Sequence, residues 1–192
     1  MKGIVLTLFI SLLSLVGCKG SNQSGFTYWE DISKTEQESI LQSPTICKNA
    51  VQYYQGSFKV SDNKLTDDFL NKITSGKNTR QETLFYFYIF NQICLNADGV
   101  VSDILGEYCM KVMLSNPPFL LSYFQRNVKL EKKYAELVGY ELYFKEDGTS
   151  DIEYNYKDFK QVIETKIKND QQYKKILLQF YRDVEVVMKN MN

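Results

Sequence analysis

The stretch "TLFYFYIFNQICL", Thr83 to Leu95, decides the fold class. Nearly every position from Leu84 to Phe90 is apolar. A helix that is apolar all round is a buried one. A buried strand is the rival, because aromatic residues favour sheets and periodicity alone does not separate the two. The flanks favour helix. Thr79-Arg80-Gln81-Glu82 has the form of a capping box, in which the Thr hydroxyl and the Glu carboxylate each satisfy a backbone N–H of the first turn. Asn96-Ala97-Asp98-Gly99 reads as a turn behind it.

Helical spacing continues outward on both sides. Thr35-x-x-Glu38 resembles another capping box and opens a short segment ending before Pro44. Thr45 to Gln55 follows, stopped by Gly56. Thr66-Asp67-Asp68 places acids in a first turn, where they suit the helix dipole. Val101, Ile104, Leu105, Tyr108 and Val112 make one clean face, and Asn116-Pro117 marks a new start. Leu130, Tyr134, Leu137 and Val138 line the next segment, which runs on through Leu142. Residues 140–156 are ambiguous. A helix ending near Lys145 with an acidic loop is preferred over a hairpin around Asp147-Gly148. Phe159, Ile163 and Ile167 line one further helix. Tyr173, Ile176, Leu177, Phe180, Val184, Val187 and Met191 line the last. The expectation is an all-α fold of about eight helices: an irregular bundle or a short HEAT-like array of helical hairpins. No sequence repeat of about 40 residues secures the array.

The N-terminus carries a different signal. Ile4–Val16 is too short to cross a bilayer, which takes about 20 apolar residues. It fits the roughly 7–15-residue core of a signal peptide, with Lys2 as its positive start. Leu15-Val16-Gly17-Cys18 then resembles the lipobox of bacterial lipoproteins. The resemblance implies that Cys18 is alkylated with a diacylglycerol, that the chain is cut before it, and that its new amino group receives an acyl chain such as palmitate. Two or three chains hold a protein stably where one does not. Lys19 to Ser24 is small and polar, as a leash should be. The expected layout is a signal peptide over 1–17, a flexible tether over 18–30 and one helical domain over 31–192. Lys19, rather than Asp, leans toward the outer membrane, facing the periplasm.

Composition narrows the function. The chain has 23 Lys and Arg, 23 Asp and Glu, and no His. That balance argues against nucleic acid, which needs a basic stripe. Lys129, Lys132 and Lys133, and Lys166, Lys168, Lys174 and Lys175, read as solvated helix faces. Without His, Ser-His-Asp and Cys-His constellations cannot form within the chain. Glu146, Asp147, Asp151 and Glu153 fail the calcium-loop spacing. Adjacent acids at Asp67-Asp68 and Glu30-Asp31 are the weak basis for an envelope enzyme acting on cell-wall glycan. No metal and no cofactor beyond the Cys18 lipid are expected.

Three cysteines remain in the domain. If Cys94 and Cys109 lie on antiparallel neighbours turning near Asp98, they sit about 10 Å apart in height, beyond disulfide reach. Three buried thiols are therefore expected, with a bridge from Cys47 to either of the others as the alternative.

There are 14 Tyr and 12 Phe, and tyrosine also serves as an interface anchor. Tyr53, Tyr54, Tyr86, Tyr88, Tyr154 and Tyr156 are the candidates for an interaction surface. The leading expectation is a membrane-anchored, non-enzymatic module for a protein partner, of immunity or envelope-assembly type. An apolar-ligand carrier built on Leu84–Phe90 is the third reading.

Overall fold

A computed structural model of the chain describes residues 25–146 and 155–191. The signal segment, Cys18, Tyr154 and the acidic loop from Asp147 to Glu153 lie outside the described residues. Nine α-helices and no strand occur among the described residues: α1 (Lys34–Leu41), α2 (Lys48–Tyr54), α3 (Lys64–Ile73), α4 (Arg80–Asn96), α5 (Gly99–Ser115), α6 (Pro117–Arg126), α7 (Val128–Glu146), α8 (Tyr156–Ile167) and α9 (Lys174–Asn190). Short 3-10 turns precede α1, at Trp29–Asp31, and α9, at Gln171–Tyr173. The protein is all-α, as the pattern predicts.

The stretch Thr83–Leu95 is helical and lies in α4. Its capping box is complete: the Thr79 N–H donates to Glu82 Oε2 at 2.7 Å, and the Glu82 N–H donates to Thr79 Oγ1 at 3.3 Å. Leu84 to Phe90 are buried except for half-buried Tyr88. They can be apolar on every side because α1, α2, α3, α7 and the Trp29–Asp31 turn all pack on α4. The Phe119 ring of α6 adds a contact 4.5 Å from that of Phe87.

Local boundaries depart from expectation in two places. The first helix is capped by Ser33, whose hydroxyl accepts from the Glu36 N–H, and not by Thr35. Thr45–Cys47 forms a turn, so α2 begins only at Lys48; the Cys47 N–H is taken by the Tyr86 hydroxyl at 2.7 Å. By contrast, Tyr140–Glu146 is the end of α7, as the preferred reading of a helix ending near Lys145 expects.

The folded body also takes in Phe26–Asp31, part of which the sequence pattern assigns to the tether. Tyr28 and Trp29 are 1% and 2% exposed. Tyr28 stacks on Phe119, and Trp29 sits 4.8 Å from Phe85. Arg126 grips Asp31 with two hydrogen bonds of 2.7 and 2.8 Å. Burial of this aromatic pair outweighs the polar, leash-like character of the residues before it.

Helix α7 lies between α5 and α9, and both contacts are made over glycine. A Cβ at position 106 would lie 2.8 Å from the Leu137 carbonyl oxygen and 2.6 Å from Glu141 Cβ. One at 139 would lie 2.8 Å from Val187 Cβ. Helix α5 therefore packs on α7 and does not run back along α4. This overturns the expected separation of the two buried cysteines: Cys94 Sγ and Cys109 Sγ are 3.6 Å apart.

Alanine is intrinsically the better helix former by about 1 kcal/mol, yet Gly106→Ala and Gly139→Ala should each destabilise the protein by about 1–3 kcal/mol through overpacking. Urea unfolding measures this, with Gly76→Ala as the control, since a Cβ there meets nothing within 4 Å.

Candidate functional site

The described tyrosines singled out by sequence, Tyr53, Tyr54, Tyr86, Tyr88 and Tyr156, do not gather into one exposed patch. Tyr54 is 41% exposed, and Tyr53 and Tyr88 are half-buried. Tyr54 and Tyr88 come together, their rings 6.1 Å apart, but they do so around buried Trp29 and Phe85. Tyr86 faces the core, and burial pushes its hydroxyl up to about 12. Tyr156 clips α8 to α9: its hydroxyl donates to Glu185 Oε1 at 2.9 Å, and Lys160 Nζ lies 4.2 Å from its ring centroid. These are packing residues with wet or capped hydroxyls. Tyr154 lies outside the described residues.

The adjacent acids are also committed to contacts. Glu30 accepts from the Tyr123 hydroxyl, Asp31 from Arg126, and Asp68 pairs with Lys64 at 3.2 Å. Among the described residues no group of three or more Cys, Asp or Glu is placed to hold a metal ion.

A sizeable concavity among the described residues lies elsewhere, where the end of α6 and the start of α7 face α9. A groove of about 750 Å³ is lined by Phe124, Gln125, Val128, Gln171, Gln172, Lys174, Lys175, Ile176, Leu178, Gln179 and Arg182. The sequence makes this shape in three steps. Asn127 interrupts the chain between α6 and α7, and its side chain caps α7 by accepting from the Leu130 N–H at 3.0 Å. Gln125 Nε2 donates to the Gln172 carbonyl at 3.3 Å, which ties the end of α6 to the turn before α9. Helix α9 then buries Leu177, Phe180, Tyr181 and Val184 and turns its other side outward.

The groove's character is amphipathic. Val128 and Leu178 are 58% and 46% exposed. Lys174, Lys175 and Arg182 surround them, none ion-paired to a described residue, and no carboxylate is among the lining residues. The sequence pattern reads Lys174 and Lys175 as an ordinary solvated face. It does not show the apolar strip between them, because Val128 arrives from a helix 46 positions away in the chain.

A carboxyl pair sits directly behind this groove. Glu131 is fully buried, one turn beyond Val128, and neither of its carboxyl oxygens has a described hydrogen-bond partner as a carboxylate. It is within hydrogen-bonding reach of Asp183, whose Oδ1 accepts from Gln179 Nε2 at 2.9 Å and whose Oδ2 is buried and unpartnered. A proton held by Glu131 lets its carboxyl donate to Asp183. Burial, then the neighbouring Asp183, pushes Glu131 up to about 7. The reading of the Lys129, Lys132 and Lys133 segment as wholly solvated is thus corrected at Glu131. Its spacing to Tyr134, Ala135, Val138 and Leu142 places it on the apolar face, and that signal is present in the sequence.

A second, smaller cleft of about 290 Å³ is floored by Phe87, Phe90, Phe119 and Leu120 and rimmed by Thr74, Ser75, Asn78, Thr83, Ser115 and Asn116.

No protein-family model matches the chain, and neither a curated protein nor a solved structure is similar to it.

The shifted Glu131 makes stability fall with pH. The folded state holds this proton up to about pH 7, whereas an unfolded Glu releases it near 4.5. Stability is therefore greatest below pH 4.5 for this group and is lost as pH rises through 7. Glu131→Gln, which supplies a permanent donor toward Asp183, should remove that fall and raise stability at pH 8 by roughly 1–3 kcal/mol. Denaturant unfolding at pH 5 and pH 8 measures both.

Proposed function

We propose that the chain is a lipid-anchored binding module that takes an acidic, apolar-bearing segment of a partner protein into the groove between the α6–α7 junction and α9. The observation that carries this reading is the groove itself: exposed Val128 and Leu178 framed by Lys174, Lys175 and Arg182, with no acid in the lining. An amphipathic helix laid into such a groove buries its apolar side and sets its carboxylates against the cations. The charge speeds encounter and selects the partner; the apolar contact holds it. A module of this kind suits neutralisation of an incoming protein or assistance in envelope assembly.

The anchor belongs to the same proposal. It rests on Leu15-Val16-Gly17-Cys18, with acyl chains on Cys18 and an outer-membrane, periplasm-facing location suggested by Lys19. The short link from Cys18 to the packed strap at Phe26 would keep the body close to the bilayer. Labelled palmitate should be incorporated by the wild type and lost in Cys18→Ala.

The groove is tested by photo-crosslinking in intact envelopes. A crosslinker at position 179 should trap one protein through an acidic segment. The double variant Lys175→Glu, Arg182→Glu should lose that adduct while its thermal melt stays unchanged. Equal trapping from position 64, retention by the double variant, or adducts to lipid in place of protein would each count against the reading.

A further inference from the structure

Features outside the proposed site include the 290 Å³ cleft, a hollow lined by Asp67, Asp103, Glu107, Lys111 and Glu141, and the buried sulfur pair. The sulfur pair carries furthest. Cys94 near the end of α4 and Cys109 in the middle of α5 are both fully buried, and their sulfurs face one another at 3.6 Å. Among the described residues no other thiol competes at that point, because Cys47 is half-buried at the start of α2, where its N–H is held by Tyr86. Thiols in contact need only a small side-chain rotation to bond.

We infer that Cys94 and Cys109 form an internal disulfide when the chain folds in an oxidising medium, leaving Cys47 as the free thiol of the domain. The reaction is thiol–disulfide exchange with a small disulfide such as oxidised glutathione. The two thiols lose two protons and two electrons and form one S–S bond, while the donor disulfide takes up both and leaves as two thiols. Exchange needs a thiolate, and burial pushes the Cys109 thiol well up. Exchange therefore runs while the pair is still open to solvent during folding, and the full burial of both thiols shields them from reagents afterwards. The crosslink ties α4 to α5 across a loop of 15 residues. It joins two helices that have little direct contact with one another, since α5 packs chiefly on α7. The odd cysteine count is thereby accounted for as one bridge and one bystander.

Refolding decides it. The full chain, reduced, denatured and returned to detergent buffer with oxidised and reduced glutathione, is quenched with an alkylating reagent and digested. No Lys or Arg lies between Arg80 and Lys111, so trypsin releases both cysteines on one peptide. That peptide should be unalkylated and lighter by two hydrogens than its reduced form. Cleavage at Asp98 or Asp103 should split it into two chains that stay joined until reductant is added. Cys47 should be alkylated throughout, and the melting temperature should fall by about 5–10 °C on reduction. Alkylation of both Cys94 and Cys109 in the refolded chain, or a bond from Cys47 to either, overturns the inference. The assay uses glutathione in solution and so is independent of where the protein resides.

Discussion

Leu84 to Phe90 leave α4 almost no face to give to water. A segment that is apolar on every side is stable only when other elements enclose it, since each exposed large side chain forfeits about 1.5–3 kcal/mol of burial. The architecture answers that demand. Helices α1, α2, α3 and α7, the Trp29 turn and the Phe119 ring of α6 together cover α4. The capping box at Thr79 and Glu82 starts the helix at one defined residue, which fixes which side chain meets which wall. The aromatic strap at Phe26–Asp31 is best understood in the same way, as the final piece of that enclosure.

The second half of the molecule is organised by α7. Gly106 and Gly139 let α5 and α9 approach it more closely than any side chain would permit. That closeness has functional consequences. It brings buried Glu131 and half-buried Asp183 together behind the groove wall, where a proton on Glu131 can bridge the two carboxyl groups. It sets the outward side of α9 against the α6–α7 junction, which creates a basic, partly apolar concavity. Cys94 and Cys109 are in contact where α5 leaves α4 for α7, close to Tyr134.

Much of the fold was legible in the sequence because it is written locally. Helical spacing, the Thr79–Glu82 box and Asn116-Pro117 mark α4, α5 and α6 with no knowledge of tertiary contacts. The misreadings arise where a distant residue decides. Ser33 wins over Thr35 as a cap by a shift of two positions that pattern alone does not fix. Trp29 looked like part of a leash until Phe85 and Tyr88 supplied its pocket. The height argument for the cysteines assumed that consecutive helices are antiparallel neighbours, and a glycine contact with a later helix broke that assumption. Glu131 was visible as an acid on an apolar stripe but was averaged into its basic surroundings. The groove was the least legible feature, since its apolar and basic parts come from separate helices.

The proposed binding role depends on a rigid body that presents α9 and the α6–α7 junction in one geometry, and that rigidity depends on α4. Native-state hydrogen exchange tests this dependence most directly. The amides of Phe85 to Phe90 should exchange only through global unfolding, with an opening free energy equal to that from denaturant unfolding. Exchange of those amides as fast as that of α1, Lys34–Leu41, would contradict the enclosed position of α4 and the architecture built around it.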